Sequence, residues 1–138
     1  MAVIVTDTGF APDDWAGAVL PLAELAARGD RHSAVLLAPD DDPAELRPRL
    51  ADIPLIAVAF PAFSDGRGFT IARRLRAMGY GGRLRARGHV LADQYAMARR
   101  VGFDEVEIDD ALAARQPEAQ WRFRADWRAH DPRARLRG

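Results

Sequence analysis

No cysteine and no lysine occur among the 138 residues of the chain. Without cysteine there is no disulfide, thiol nucleophile, protein-ligated iron–sulfur cluster or thiolate zinc site. Without lysine there is no Schiff-base chemistry and no P-loop lysine. All 20 basic residues are therefore arginine, matched by 20 acidic residues. A GC-rich genome explains an arginine-only set more simply than selection at every position. Histidine is sparse, and His32, His89 and His130 show no metal-ligand spacing, so no metal site is expected. Long apolar runs are missing too. The longest, Leu55–Phe60, falls far short of the roughly 20 residues that span a bilayer. The start, Met1 to Val5, turns polar at Thr6-Asp7 without the charged region and apolar run of a signal peptide. The expectation is a cytoplasmic protein with no membrane partner.

The zero net charge conceals blocks. Residues 1–65 sum to −7, residues 66–103 to +8, residues 104–120 to −5 and residues 121–138 to +4. Either the blocks neutralise one another across the fold, or the central block binds an anion or an acidic partner. Nucleic acid is not expected, because the acidic blocks repel phosphates and no nucleic-acid motif occurs.

What is present reads as alternating strands and helices. Val3–Val5, Ala34–Leu37 and the unbroken apolar run Leu55–Phe60 are strand candidates, the last suited to a parallel strand covered on both faces. Leu84 and Ala86 between arginines, and Val106 and Ile108 between glutamates, suggest two more. Helical segments fall between them: Trp15 to Ala27 (with Pro21 as a kink or a delayed start), Pro43 to Leu50, Phe69 to Met78 and Val90 to Val101. The last of these places Val90, Met97, Ala98 and Val101 on one face. The residues from Trp121 to Trp127 suit an edge strand or an amphipathic segment laid on the body. This pattern predicts one α/β domain over residues 1–130, built of βα units with a mainly parallel sheet, and a tail over 131–138. An open Rossmann-like sheet and a partial βα barrel both satisfy it.

In such folds ligands sit beyond the carboxyl ends of the strands. On that edge the pattern places Thr6-Asp7-Thr8, Asp40-Asp41-Asp42, Ser64 to Gly68, Gly88-His89 and Asp109-Asp110. The richest loop holds Asp65, Gly66, Arg67 and Gly68 before a helix. Its glycines let backbone N–H groups approach an anion, and Arg67 adds a fork of donors. Alternatively, Ser64 or Asp65 caps the helix and the glycines only make a tight turn. Arg83, Arg85 and Arg87 share one strand face, which is either exposed to solvent or gathers anions. Gln94 falls in the middle of an apolar helical arc, where its amide needs a backbone partner or a buried arginine such as Arg85. Asp93 lies at the margin of that arc, within reach of Arg67 or Arg85. His89 has a position suited to acid–base work, or to a cap.

Two linked segments resemble a bacterial family, domain of unknown function 934. They are Phe60-Pro61-Ala62-Phe63-Ser64-Asp65-Gly66-Arg67-Gly68-Phe69-Thr70-Ile71-Ala72-Arg73, and Leu84-Arg85-Ala86 followed by Gly88, Asp93-Gln94 and Arg100-Val101-Gly102-Phe103-Asp104. The resemblance implies motif positions at Asp65, Gly66, Arg67, Gly68, Ala72, Arg85, Gly88, Asp93, Gln94, Gly102, Phe103 and Asp104. It departs at His89, where an acidic residue is usual, and at Arg83, where glutamate is usual. Members are commonly encoded beside sulfite reductase and phosphoadenylyl-sulfate reductase, which implies an accessory role in assimilatory sulfate reduction.

Three functions follow as expectations. The first is an accessory protein binding sulfite, sulfate or another small oxyanion through Asp65, Gly66, Arg67, Gly68 and Arg85, supported by Gly88, Asp93 and Gln94. The second is a subunit that docks on sulfite reductase or phosphoadenylyl-sulfate reductase through its arginine block and the Trp121–Trp127 segment. The third is a small oxidoreductase-like enzyme. It would borrow its cofactor, because no Gly-x-Gly-x-x-Gly fingerprint occurs and no resident cofactor is expected.

Overall fold

The computed structural model describes residues 2–28 and 33–128. Seven strands form one sheet: β1 (Ala2–Thr6), β2 (Gly9–Pro12), β3 (Val19–Pro21), β4 (Ala34–Leu37), β5 (Leu55–Phe60), β6 (Arg83–Gly88) and β7 (Glu105–Asp109). Five short helices accompany them: α1 (Leu22–Arg28), α2 (Arg67–Ala77), α3 (Tyr95–Val101), α4 (Asp110–Arg115) and α5 (Glu118–Phe123). Two 3₁₀ segments, Pro43–Asp52 and Ala92–Gln94, complete the elements among the described residues. The expected α/β class with a mainly parallel sheet is what the chain adopts.

The strand order is β2-β1-β7-β6-β5-β4-β3. Strands β3 to β7 are parallel and follow one another in sequence, whereas β1 runs antiparallel to both β2 and β7. Right-handed crossovers stepping always in one direction put every connecting helix on the same face. Such a sheet has no point at which strand order reverses, as a doubly wound sheet does.

Period-two alternation then separates two faces. Val35, Leu37, Ile56, Val58, Phe60, Leu84, Ala86, Val106 and Ile108 belong to the main core, packed with Ile71 and Leu75 of α2, Tyr95 and Ala98 of α3, and Trp121 of α5. Ile4, Ala34, Leu55 and Ala57 are also buried but lie outside that cluster, on the opposite face. Residues 13–18, which have no regular structure, connect β2 at one edge with β3 at the other. Strands about 4.8 Å apart would put the edges of a flat seven-stranded sheet about 29 Å apart. The seven steps from Pro12 to Val19 reach at most about 25 Å. The sheet must therefore curl, with the 13–18 strap crossing its concave side and the helices outside. The result is a curled, mixed, mostly parallel sheet that stays open between β2 and β3.

Several expectations change here. The Trp15–Ala27 segment is not one helix: Val19–Pro21 joins the sheet edge, where proline's missing N–H is tolerated, and α1 starts immediately after Pro21. The face of α3 carries Tyr95, Ala98 and Val101, while Met97 is exposed, because the helix begins only at Tyr95 and Val90 precedes it. Of the two readings of the Trp121 segment, the edge strand falls and the amphipathic segment stands: it includes the end of α5, with Trp121 buried and Phe123 77% exposed. His32, His130 and the 131–138 tail lie outside the described residues.

Candidate functional site

The carboxyl ends of β4 to β7 bring four of the five polar loops to one edge. Thr6-Asp7-Thr8 is the exception, because β1 runs antiparallel to β7 and ends at the opposite edge. There Asp7 accepts hydrogen bonds from Tyr95 Oη (2.5 Å) and Arg99 Nε (3.2 Å). Burial alone would raise the Asp7 pKa, but these bonds and one from Trp127 outweigh it and hold the carboxyl below its ordinary range. Burial and the adjacent Asp7 push the Tyr95 phenol up.

At the shared edge, Arg67 closes back on Asp65. Its Nε and Nη2 meet the two carboxylate oxygens at 3.0 and 2.7 Å, and its backbone N donates to Oδ1 at 3.2 Å. The paired guanidinium holds the Asp65 carboxyl below its usual range and raises Arg67 in turn. The Arg67 side chain is 61% exposed, and Nη1 has no acceptor among the described residues. Gly68 has a packing reason: a Cβ there would sit 2.5 Å from the Phe60 ring. Gly66 has none, since its Cβ would make only ordinary contact with Phe69.

The loop after β6 is tied to the loop after β5. Gly88 takes φ 116°, and a Cβ on it would meet the Phe60 carbonyl oxygen at 2.7 Å. His89 N donates to that oxygen at 2.8 Å, and the His89 ring stands edge-on to Phe63 at 5.1 Å. Gln94 accepts from Leu91 N at 2.8 Å and donates to Phe63 O at 3.1 Å. Gln94 thus braces two loops through backbone partners, and Arg85 is not among them. Beside these loops, at the ends of β6 and β7, a cavity of about 530 Å³ is lined by Arg87, His89, Glu107, Asp109, Asp110 and Arg115. Asp109 caps α4 by accepting from Leu112 N at 2.7 Å.

Two sequence-predicted site residues stand apart. Asp93 pairs with Arg124 at 2.9 Å, not with Arg67 or Arg85, because the 3₁₀ turn at Ala92–Gln94 directs it toward α5. Arg85 projects from the concave face, away from the helices and from Arg67. It is 2% exposed, so its strand face is no open solvent surface.

Parallel pairing sets Arg85 beside Glu105 and Arg87 beside Glu107, and the side chains form a ladder. Arg85 Nε donates to Glu105 Oε2 (2.6 Å) and Nη1 to Glu107 Oε1 (2.8 Å). Arg83 bonds Glu105 and Asp14, and Arg87 pairs with Glu107. Burial opposes the Arg85 charge, yet Glu105 and Glu107 outweigh it and keep its pKa raised.

The glutamates and the strap aspartates are what sequence reasoning missed. A signal existed in the matching alternations Arg-x-Arg-x-Arg and Glu-x-Glu, but only register turns two alternations into pairs. Among the described residues no three potential metal ligands converge. No helix among them is long and apolar enough to cross a membrane.

These features define an α/β protein with one mostly parallel seven-stranded sheet, four polar loops at its carboxyl edge and an arginine–glutamate ladder on its concave face. The chain belongs to the bacterial family of proteins of unknown function DUF934, whose pattern matches residues 34–131. No curated protein and no solved structure matches it. The matched segment includes β4 to β7 and leaves out β1 to β3 and the strap.

Proposed function

We propose that this protein is an accessory factor of assimilatory sulfate or sulfite reduction that binds a small oxyanion at the carboxyl edge of its sheet. The ligand would be delivered to, or sensed for, a reductase partner such as sulfite reductase or phosphoadenylyl-sulfate reductase. The supporting observation is Arg67: among the described residues only Asp65 holds it, and it turns Nη1 to solvent where the parallel strands end. An arginine fork pinned on one side and open on the other suits an oxyanion, since the pinning lowers the entropy lost on binding. Gly68 brings the start of α2 onto Phe60, and Gly88 with Gln94 fixes the neighbouring loop. Sulfur oxyanions are chosen because family members are commonly encoded beside those reductases.

The test is a thermal-shift series with sulfite, sulfate and adenylyl sulfate. At millimolar ligand the melting temperature should rise, and Arg67→Ala should remove the rise while leaving the unliganded melting temperature within about 2 °C. A flat response to all three ligands overturns the proposal. A pull-down at low salt with each reductase addresses the partner, and binding should fall steeply as salt rises.

A further inference from the structure

A second cavity, of about 290 Å³, lies on the concave side of the sheet against the strap. That is close to the lower end of the size range of small-molecule sites. Its walls are mainly charged, from Asp13, Arg85, Arg87 and Glu107, with a smaller apolar part from Trp15 and Val19 over the buried Leu55 and Ala57.

Arg85 is its central group. Glu105 on Nε and Glu107 on Nη1 fix the guanidinium from the β7 side. The edge between Nη1 and Nη2 is served poorly. Asp13 Oδ1 is 3.2 Å from Nη1, Asp14 Oδ1 is 3.9 Å from Nη2, and Nη2 is buried with no acceptor among the described residues. Two carboxylates from neighbouring strap residues thus straddle a fork that one carboxylate fills better, through two parallel bonds of about 2.7–2.9 Å. Charge points the same way. Leaving the strap aside, Arg83, Arg85 and Arg87 face Glu105 and Glu107, which leaves one positive charge over. The strap overshoots, because it adds two negative charges. Asp13 is one-third exposed, residues 13–18 form no regular structure, and lifting Asp14 breaks only its mostly exposed pair with Arg83, a surface contact of small worth.

We infer that this concave cavity binds a small monocarboxylate with an apolar body, which docks on the Nη1–Nη2 edge of Arg85 in place of Asp13 and Asp14. The strap lifts to admit it, and the small apolar body lies against Trp15 and Val19. One carboxylate balances the one surplus charge. A dianion such as sulfate brings a second charge toward Glu105 and Glu107, which separates this site from an oxyanion site at Arg67.

Tryptophan fluorescence tests the inference, with benzoate and butyrate as probes, sulfate as the comparison and Trp15→Phe to assign the signal. Benzoate should give a saturable change that Trp15→Phe removes. Asp13→Ala removes an internal competitor and should tighten benzoate about tenfold. Arg85→Lys keeps the charge but loses the fork, and should weaken binding at least tenfold while circular dichroism reports an intact fold. If Arg85→Lys does not fold, the Asp13→Ala comparison decides. Equal or weaker benzoate binding by Asp13→Ala, no saturable change in the unaltered protein, or sulfate competing as well as benzoate each overturns the inference.

Discussion

Single side chains set how polar groups survive inside this small domain. Asp7 illustrates the balance: a half-buried carboxylate collects donors from α3 and from Trp127, and its pKa falls although burial opposes the charge. With the folded pKa below the unfolded one, its stabilisation is complete above about pH 4 and is lost as pH falls through the folded value. Asp7→Asn should therefore cost about 1 kcal/mol at pH 7, a figure kept low because the side chain is partly solvated. Urea unfolding at pH 7 and at successively lower pH checks this, and the gap from the parent protein should shrink as pH falls through the folded pKa. Gly68 and Gly88 express a different constraint. Each lies where a Cβ would enter Phe60, one against its ring and one against its carbonyl, so these motif glycines have a steric origin apart from any ligand.

Between elements, the β6–β7 pair carries the decisive electrostatics. Glu105 is buried and serves two arginines at once, so removing its charge strands Arg85 without its closest counter-ion. Glu105→Gln should destabilise the protein by about 3 kcal/mol, as breaking a buried ion pair does. Arg124→Ala breaks the exposed pair with Asp93 and should cost less than about 1 kcal/mol. Thermal denaturation of the two variants side by side measures the contrast, and equal losses would contradict the ladder. The same pairing neutralises part of the block pattern in the sequence: three arginines of the +8 block, on β6, face Glu105 and Glu107 of the −5 block, on β7. Both alternations were legible in the sequence, and their pairing was not, since register depends on how helices α2 and α3 seat each strand.

At the scale of the whole molecule, curl is the organising feature. Sequential parallel strands put the helices outside, and a six-residue strap closes the concave side as a chord. Apart from Ala18 O, which accepts from Ala34 N, the strap is held by side chains, so it should open before the sheet does. Limited chymotrypsin digestion is expected to cut after Trp15 first. The two pieces should still elute together, because β1 remains hydrogen-bonded to β7 over four residue pairs. Separation into unfolded fragments on gel filtration would show that the strap supports the fold itself.

Apolar runs and helix stops in the sequence determined five of the seven strands, the α/β class, and the Asp65-Gly66-Arg67-Gly68 loop at a strand's end. Local chemistry suffices there, because a β-branched run or a glycine stop acts over a few residues. Only the tertiary structure decided that β1 runs antiparallel, which carries Asp7 to the far edge, and that β2 and β3 exist as short edges. It also decided that Arg85 faces away from Arg67. Strand direction, curl and register come from packing between segments distant in sequence, and alternation in one segment does not show what lies across from it. The missing lysine takes on a physical sense in that setting: the buried place on β6 calls for a planar fork that several carboxylates can share, which arginine supplies and an ammonium does not.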